Sequence, residues 1–452
     1  MKETVRAFSS PGKAFLAGGY LVLDPTYKAY VVAVSARMHV IVTSSFQNTK
    51  NTDTVKIVVT SEQFNGDTWS YVVDYNNSKF VKEINERNNP FIESVITNIF
   101  AYFSTDLTEV PNISIKIYSD PEYHSAEECI QRTNGILTLN YFNKPINKVA
   151  KTGLGSSASL TTSLMTALYS VLKSSFDINS ADDLKKIHNL AQVAHCQAQG
   201  KIGSGFDIAA ATFGSIIYRR FDPKLIKNLP NLQTNLKPYS SSLRILVNEV
   251  NWNTISERIK LPDRLRLVMG DVNSGSETPK LVSTVQKWYS DNEADGFKVY
   301  QNINKGNMEF VQSLSNLNEI SVNNPDLYKQ IIDEVSTDHS AIEKYTDIRN
   351  IKDSILTVRK NFRYITKQSG AEIEPQIQTE LLDNCNKLNG VLTCMIPGAG
   401  GFDAIAVITT TGTNLTKLTQ GKEEFKNVKW LNLRQANYGL QEEDPTMYDN
   451  ML

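Results

Sequence analysis

The sequence is poor in cysteine: among 452 residues only Cys129, Cys196, Cys385 and Cys394 carry thiols, and none stand in C-x-x-C spacing. That argues against a disulfide framework or a zinc ribbon. An excess of charge is missing too, since 47 Lys and Arg meet 48 Asp and Glu for a formal net charge of -1. Nothing in this balance recruits nucleic acid or an anionic membrane, so any phosphate-binding charge has to be local. No apolar run approaches the roughly 18 residues of a spanning helix. The first ten residues, MKETVRAFSS, lack the apolar stretch of a secretory signal, and the last five show no lipidation or peroxisomal signature. The expectation is a cytoplasmic protein with reduced thiols and no membrane role.

What is present is ample apolar content, 40% of the residues, enough for one large or two medium cores. Residues 13–23, 31–44, 55–60 and 113–118 read as strands, and Pro90 opens a helix over 91–103 on the spacing of Phe91, Val95, Ile99 and Phe103. Residues 120–150 read as an insertion decorating the core, with a hairpin near 136–142. Helices follow from the 153–158 region, with Leu160, Leu164 and Leu168 on one face, and over 183–199, before a strand at 214–221. The prolines of 222–242 suggest a boundary, giving domains 1–222 and 223–452. The second half reads as helical with strands at 265–270, 391–396, 404–409 and 428–433. Mixed order within each half predicts an α+β fold.

Three glycine-rich runs carry the chemistry. Gly153-Leu154-Gly155-Ser156-Ser157-Ala158 precedes an amphipathic helix, where small residues and unpaired N–H groups meet a positive helix end; Lys151 adds a charge. Alone, this run also fits a serine-capped turn. It fits the G-x-G-x-x-A dinucleotide fingerprint as well, with Asp177 near the ribose-acid spacing, but 147–152 is a poor buried strand and Asp177 follows no apolar strand. Lys13 stands in an apolar β segment between Gly12 and Gly18-Gly19, seeking an anion or snorkelling from an edge. Gln197-Ala198-Gln199-Gly200-Lys201-Ile202-Gly203-Ser204-Gly205-Phe206-Asp207 ends a helix and presents an acid that also suits an N-cap. Gly398-Ala399-Gly400-Gly401 lies between two apolar strands, and Ser276 and Thr278 sit in a hydroxyl-rich turn before a helix. His188 and His195 lack further zinc-type ligands and read as packing residues or as supports behind a site. Walker A, protein-kinase and nucleophile-elbow signatures are absent.

Pro11-Gly12-Lys13 with Gly18-Gly19-Tyr20, then Lys151-Thr152-Gly153-Leu154-Gly155-Ser156-Ser157-Ala158, then Pro397-Gly398-Ala399-Gly400-Gly401, resemble the three ordered motifs of the GHMP kinase superfamily. The run from Ala194 to Asp207 is similar to the fungal branch whose acceptor is 5-phosphomevalonate. The resemblance implies a two-domain fold, ribosomal-protein-S5-like then ferredoxin-like, and an ATP-dependent phosphotransferase of the mevalonate pathway. It implies catalytic roles for Lys13 and Asp207, and ATP-phosphate binding by Lys151 and Gly153, Leu154, Gly155, Ser156, Ser157 and Ala158. Substrate contacts are implied for Ser276, Thr278, Gly398, Ala399, Gly400 and Gly401, with Mg²⁺ at Ser156. A relative acting on an alcohol such as mevalonate, or a non-catalytic ligand sensor, is the alternative. Gly19 replaces a glutamate common in relatives, and Gln197 and Gln199 stand where alcohol kinases place a Mg²⁺-binding carboxylate.

Overall fold

The computed structural model describes residues 3–451 apart from 46–52, 78, 126–127, 233–235, 273–277, 432 and 437. The β-branched first third of the chain forms strands, as its alternation demands. Strands β1 (Thr4–Ala17) and β2 (Ala29–Ser45) pair antiparallel from Thr4↔Ser44 to Ala17↔Tyr30. Strands β3 (Val55–Ser61), β4 (Asp67–Val73) and β5 (Val81–Glu83) run outward from β6 (Asn112–Ser119), which itself pairs β2. A hairpin of β7 (Cys129–Thr133) and β8 (Thr138–Phe142) stands apart. The other edge is made by β9 (Ile216–Arg219) and β10 (Ile255–Arg258).

Alternation along β2 assigns its faces. Val40 and Val42 pack with Ile57, Ile99, Leu164 and Ile187 in the main core, while Ile41 packs with Leu139 and Tyr141 of the hairpin. The helices over the main core are α1 (Pro90–Phe103), α2 (Ser156–Leu172), α3 (Ala181–Gln199) and α4 (Phe206–Phe213). Helix α1 starts where expected because Asn89 accepts from the Phe91 and Ile92 N–H groups and Pro90 needs no donor of its own.

Past residue 222 the chain does not leave this layer. Short α5 (Lys224–Lys227) leads to α6 (Leu236–Asn248), whose Tyr239, Leu243 and Val247 join the main core, and β10 then pairs β9. The prolines therefore mark turns within the first layer, and the passage to the second lies between β10 and β11 (Leu265–Asp271). There, four strands run in the order β12 (Val391–Met395), β13 (Ala404–Thr410), β11, β14 (Lys429–Trp430). Helices α7 (Thr278–Asp291), α8 (Glu293–Asn323), α9 (Pro325–Thr337), α10 (Thr346–Ser369) and α11 (Gln376–Cys385) surround this sheet. The chain finally returns, and β15 (Gln441–Glu443) pairs β1.

The architecture is α+β, with three local departures from expectation. Strand β1 ends at Ala17 instead of continuing to Leu23, because Gly18 turns at φ 104° and a Cβ there would stand 2.6 Å from the Ala29 Cβ. Residues 21–23 form a 3₁₀ turn. The strand expected over 428–433 pairs only at Lys429–Trp430.

Candidate active site

The first glycine run acts through its backbone. Gly153 and Gly155 adopt φ 77° and 81°, a left-handed conformation that costs other L-residues roughly 1–2 kcal/mol. Gly155 is the N-cap of α2, and no side chain caps this helix end. The serine-capped turn is therefore set aside: the Ala158 N–H donates to the Gly155 carbonyl at 3.1 Å, and the Ser156 and Ser157 N–H groups ahead of it stand at the positive pole for an anion.

Lys13 lies against this run. Its backbone N–H donates to the Leu154 carbonyl at 2.9 Å, and its ammonium donates to the Gly153 carbonyl at 2.9 Å. The stem runs beneath Gly155, where an added Cβ would sit 3.3 Å from it. Desolvation lowers the ammonium pKa, and the Asp207 carboxylate opposes that shift. Asp207 sits in the first turn of α4, where its Oδ1 accepts from the Ile208 N–H at 3.0 Å. The N-cap position expected of it belongs instead to Gly205, and no side chain caps this helix start.

Two cavities lie near this point, neither of them lined by Lys13 itself. One, of about 550 Å³, is lined by Phe15, Tyr20, His195, Gln199, Lys201, Ser204, Asp207, Arg220, Thr278, Gly398 and Ala399. The other, of about 480 Å³, is lined by Trp69, Phe91, Ile146, Lys148, Lys151, Ser156 and Ser157. At their junction the Ser157 hydroxyl lies 3.1 Å from His195 Nε2. The 120–150 insertion is thus more than decoration, since His124, Ile146 and Lys148 form cavity wall and His124 bridges Lys151. Beside that cavity, burial and Lys151 push the His124 imidazole pKa down to about 4.

The second glycine run divides in two. Gly398 and Ala399 line the larger cavity, and the Ala399 carbonyl accepts the Tyr20 hydroxyl at 2.6 Å, latching the two layers together. Gly400 and Gly401 face Ile373: a Cβ on Gly400 would stand 2.4 Å from the Ile373 carbonyl, and the Gly401 N–H donates to that carbonyl at 2.8 Å. They allow the turn and line neither cavity. Gly19 is also explained, because a Cβ there would meet the Gly398 carbonyl at 3.0 Å and the Phe362 ring at 3.1 Å. Ser276 lies outside the described residues.

Gln197 and Gln199 part company. Gln197 turns away from the cavities, accepting from Asn98 at 2.8 Å and donating to the Tyr239 hydroxyl at 2.8 Å, whereas Gln199 faces the larger cavity. No group of three His, Cys, Asp or Glu able to hold a metal occurs among the described residues. His188 is a packing residue as expected, near Phe213 and Trp252. His195 stands at the site instead, the other role expected of it, while Tyr20, Lys201, Arg220, Trp69 and Phe91 were not marked as site residues in the sequence. Only the i, i+4 spacing of His195 and Gln199 on α3, ahead of the glycine turns, carried a signal.

Residues 126–215 match the GHMP kinases N terminal domain. The Candida albicans phosphomevalonate kinase is 41% identical over 98% of this chain and 99% of its own, and the Aspergillus fumigatus enzyme of that name is 33% identical over 90% and 88%. The fold is shared with a Lin0012 protein from Listeria innocua (TM-score 0.66, 18% identity, 98% and 100% covered). It is also shared with a Streptococcus pneumoniae phosphomevalonate kinase in complex with phosphomevalonate and AMPPNP (TM-score 0.58, 17% identity, 96% and 100% covered). Since the first similarity holds across both layers of the molecule, the chain belongs to the phosphomevalonate kinase family of GHMP kinases.

Proposed function

We propose that the protein transfers the γ-phosphoryl group of ATP to the phosphate of 5-phosphomevalonate, giving ADP and 5-diphosphomevalonate for isoprenoid and sterol synthesis. One observation carries the reading: the linings of two cavities, of about 550 and 480 Å³, touch through His195 and Ser157 at the uncapped start of α2, and Lys13 packs against the glycine run ahead of that start. The smaller has aromatic walls at Trp69 and Phe91 for a base, then Lys151, Ser156 and Ser157 toward the phosphates. The larger offers Lys201 and Arg220 to an anionic acceptor, and Gly398 and Ala399 close it from the second layer.

A phosphomonoester with a second pKa near about 6 is already mostly dianionic at neutral pH. A strong general base is therefore unnecessary, and the barrier lies in bringing two anions together. Lys13 supplies the positive charge. Asp207 forms no direct ion pair with it but opposes, across space, the desolvation that lowers its pKa. The start of α2 and Lys151 orient the transferring phosphates. Mg²⁺ fits as an ion carried by the nucleotide, because it keeps several waters and needs few protein ligands; the Ser156 hydroxyl would hold it, and it would neutralise phosphate charge.

The test is ADP release with 5-phosphomevalonate and with mevalonate as acceptors. Turnover with the phosphorylated acceptor alone is expected, and preference for mevalonate would replace this reading with that of an alcohol kinase. We assign the protein to the cytoplasm on its sequence character. No described helix is long and apolar enough to cross a membrane. Because an Arabidopsis thaliana relative, 30% identical over 96% of this chain, is named peroxisomal, cell fractionation is the check.

A further inference from the structure

His195 lines the larger cavity, and its ring touches two residues that line the smaller one. Only 3% exposed, it lies 5.6 Å from the Phe91 ring, and its Nε2 is 3.1 Å from the Ser157 hydroxyl. Phe91 and Ser157 both line the smaller cavity. The Gln199 amide nitrogen is 3.3 Å from that same Nε2. An Nε2–H would face the Gln199 amide N–H₂, so the unprotonated Nε2 is favoured, and its single in-plane lone pair takes the nearer donor, the Ser157 O–H. The oxygen lone pairs of Ser157 are then left for whatever occupies the smaller cavity.

We propose that His195 is a positioning residue that holds the Ser157 hydroxyl by its proton and so turns the serine oxygen's lone pairs to the cation carried by the nucleotide phosphates. The charged groups facing the ring are Asp207 from α4 and Lys201 from the turn after α3; α1 presents Phe91 and α2 presents Ser157, neither of which ionises near neutrality. Burial and Lys201 lower the imidazole pKa, Asp207 raises it, and the net direction is down. The ring therefore stays neutral at pH 7.

The inference rests on placing the nucleotide against Trp69 and Phe91, and the experiment separates the two claims. Binding of AMPPNP with and without Mg²⁺, and of 5-phosphomevalonate, is measured by calorimetry on the full chain. His195→Phe is expected to weaken Mg²⁺-AMPPNP about tenfold, the loss of one hydrogen bond, and to change acceptor affinity less than about twofold. His195→Gln retains an acceptor carbonyl and restores binding to within about threefold. Ser157→Ala should lose as much as His195→Phe, with no further loss in the double variant. Unchanged nucleotide affinity in His195→Phe, or losses that multiply, overturns the proposal. Should His195→Phe fail to fold, Ser157→Ala decides, and unchanged Mg²⁺-AMPPNP affinity in that variant overturns the proposal. If instead neither Phe91→Ala nor Lys151→Ala alters nucleotide affinity, the cavity assignment itself has failed.

Discussion

Lys13 is a cation placed where burial works against its charge, so its partners decide whether it can act. Removing it by Lys13→Ala is expected to lower kcat by about 10²–10³-fold, the scale of losing one donor to a developing anion. Asp207→Asn should cost less, about tenfold, and should also move the alkaline limb of the pH profile. The sign follows from the opposing causes: with the carboxylate gone, desolvation acts unopposed, the Lys13 pKa falls, and activity is lost at lower pH than in the wild type. Steady-state kinetics across pH checks both, and a larger loss in Asp207→Asn than in Lys13→Ala ends the argument. Gly19 makes a steric prediction. Because Gly398 and Phe362 crowd it, Gly19→Glu should pry the second glycine run away and lower kcat/KM for the acceptor about tenfold, with AMPPNP binding unchanged by calorimetry. Lys13 and Asp207 were legible in the sequence because a charge amid glycine and apolar residues is conspicuous. The contact of His195 with Ser157 was not, since its partner is 38 residues away on another helix.

Among elements, α3 does two jobs on two faces. One turns His195 and Gln199 to the site; the other locks the helix to α1 and α6 through Gln197, Asn98 and Tyr239. The Tyr239 hydroxyl donates to Asn98 Oδ1 at 2.6 Å, and Asn98 is fully buried. Tyr239→Phe leaves that oxygen without its donor and is expected to cost about 1–3 kcal/mol in urea unfolding with KM values unchanged. Loss of activity at full stability would show instead that Gln197 belongs to the chemistry. Helical periodicity revealed α3 and its apolar stripe. Which polar residue faced which neighbour depended on the angle at which α1 and α6 cross it, and neither is adjacent in sequence. The same reason hid the true end of the first layer: α6 carries Tyr239, Leu243 and Val247 at core spacing, but their contacts lie on α1 and α3.

The whole molecule is tied together by a returning chain. Strand β15 pairs β1, Arg6 meets Glu442 at 2.8 Å, and Tyr448 inserts its hydroxyl 2.9 Å from His39 Nδ1 while its ring stacks on Tyr118. Tyr448→Ala is expected to lower the unfolding free energy by about 3 kcal/mol, the usual loss for a buried aromatic ring, with kcat unchanged at a temperature where the protein remains folded. Because the reaction exchanges one phosphoanhydride for another, active enzyme should form ATP from ADP and 5-diphosphomevalonate, and a luciferase readout detects it. By itself the sequence determined what local physics controls: the strands of β-branched residues, the helix begun by Asn89-Pro90, the glycine turns before α2 and α4, and a cation and an acid in unusual company. Only the tertiary structure decided that two cavities share one junction, that Gly400 and Gly401 serve a turn, and that the first layer reaches past residue 250 and is closed by the last strand. Those are relations between residues far apart along the chain, where the free energy comes from packing and desolvation and local propensity has no say.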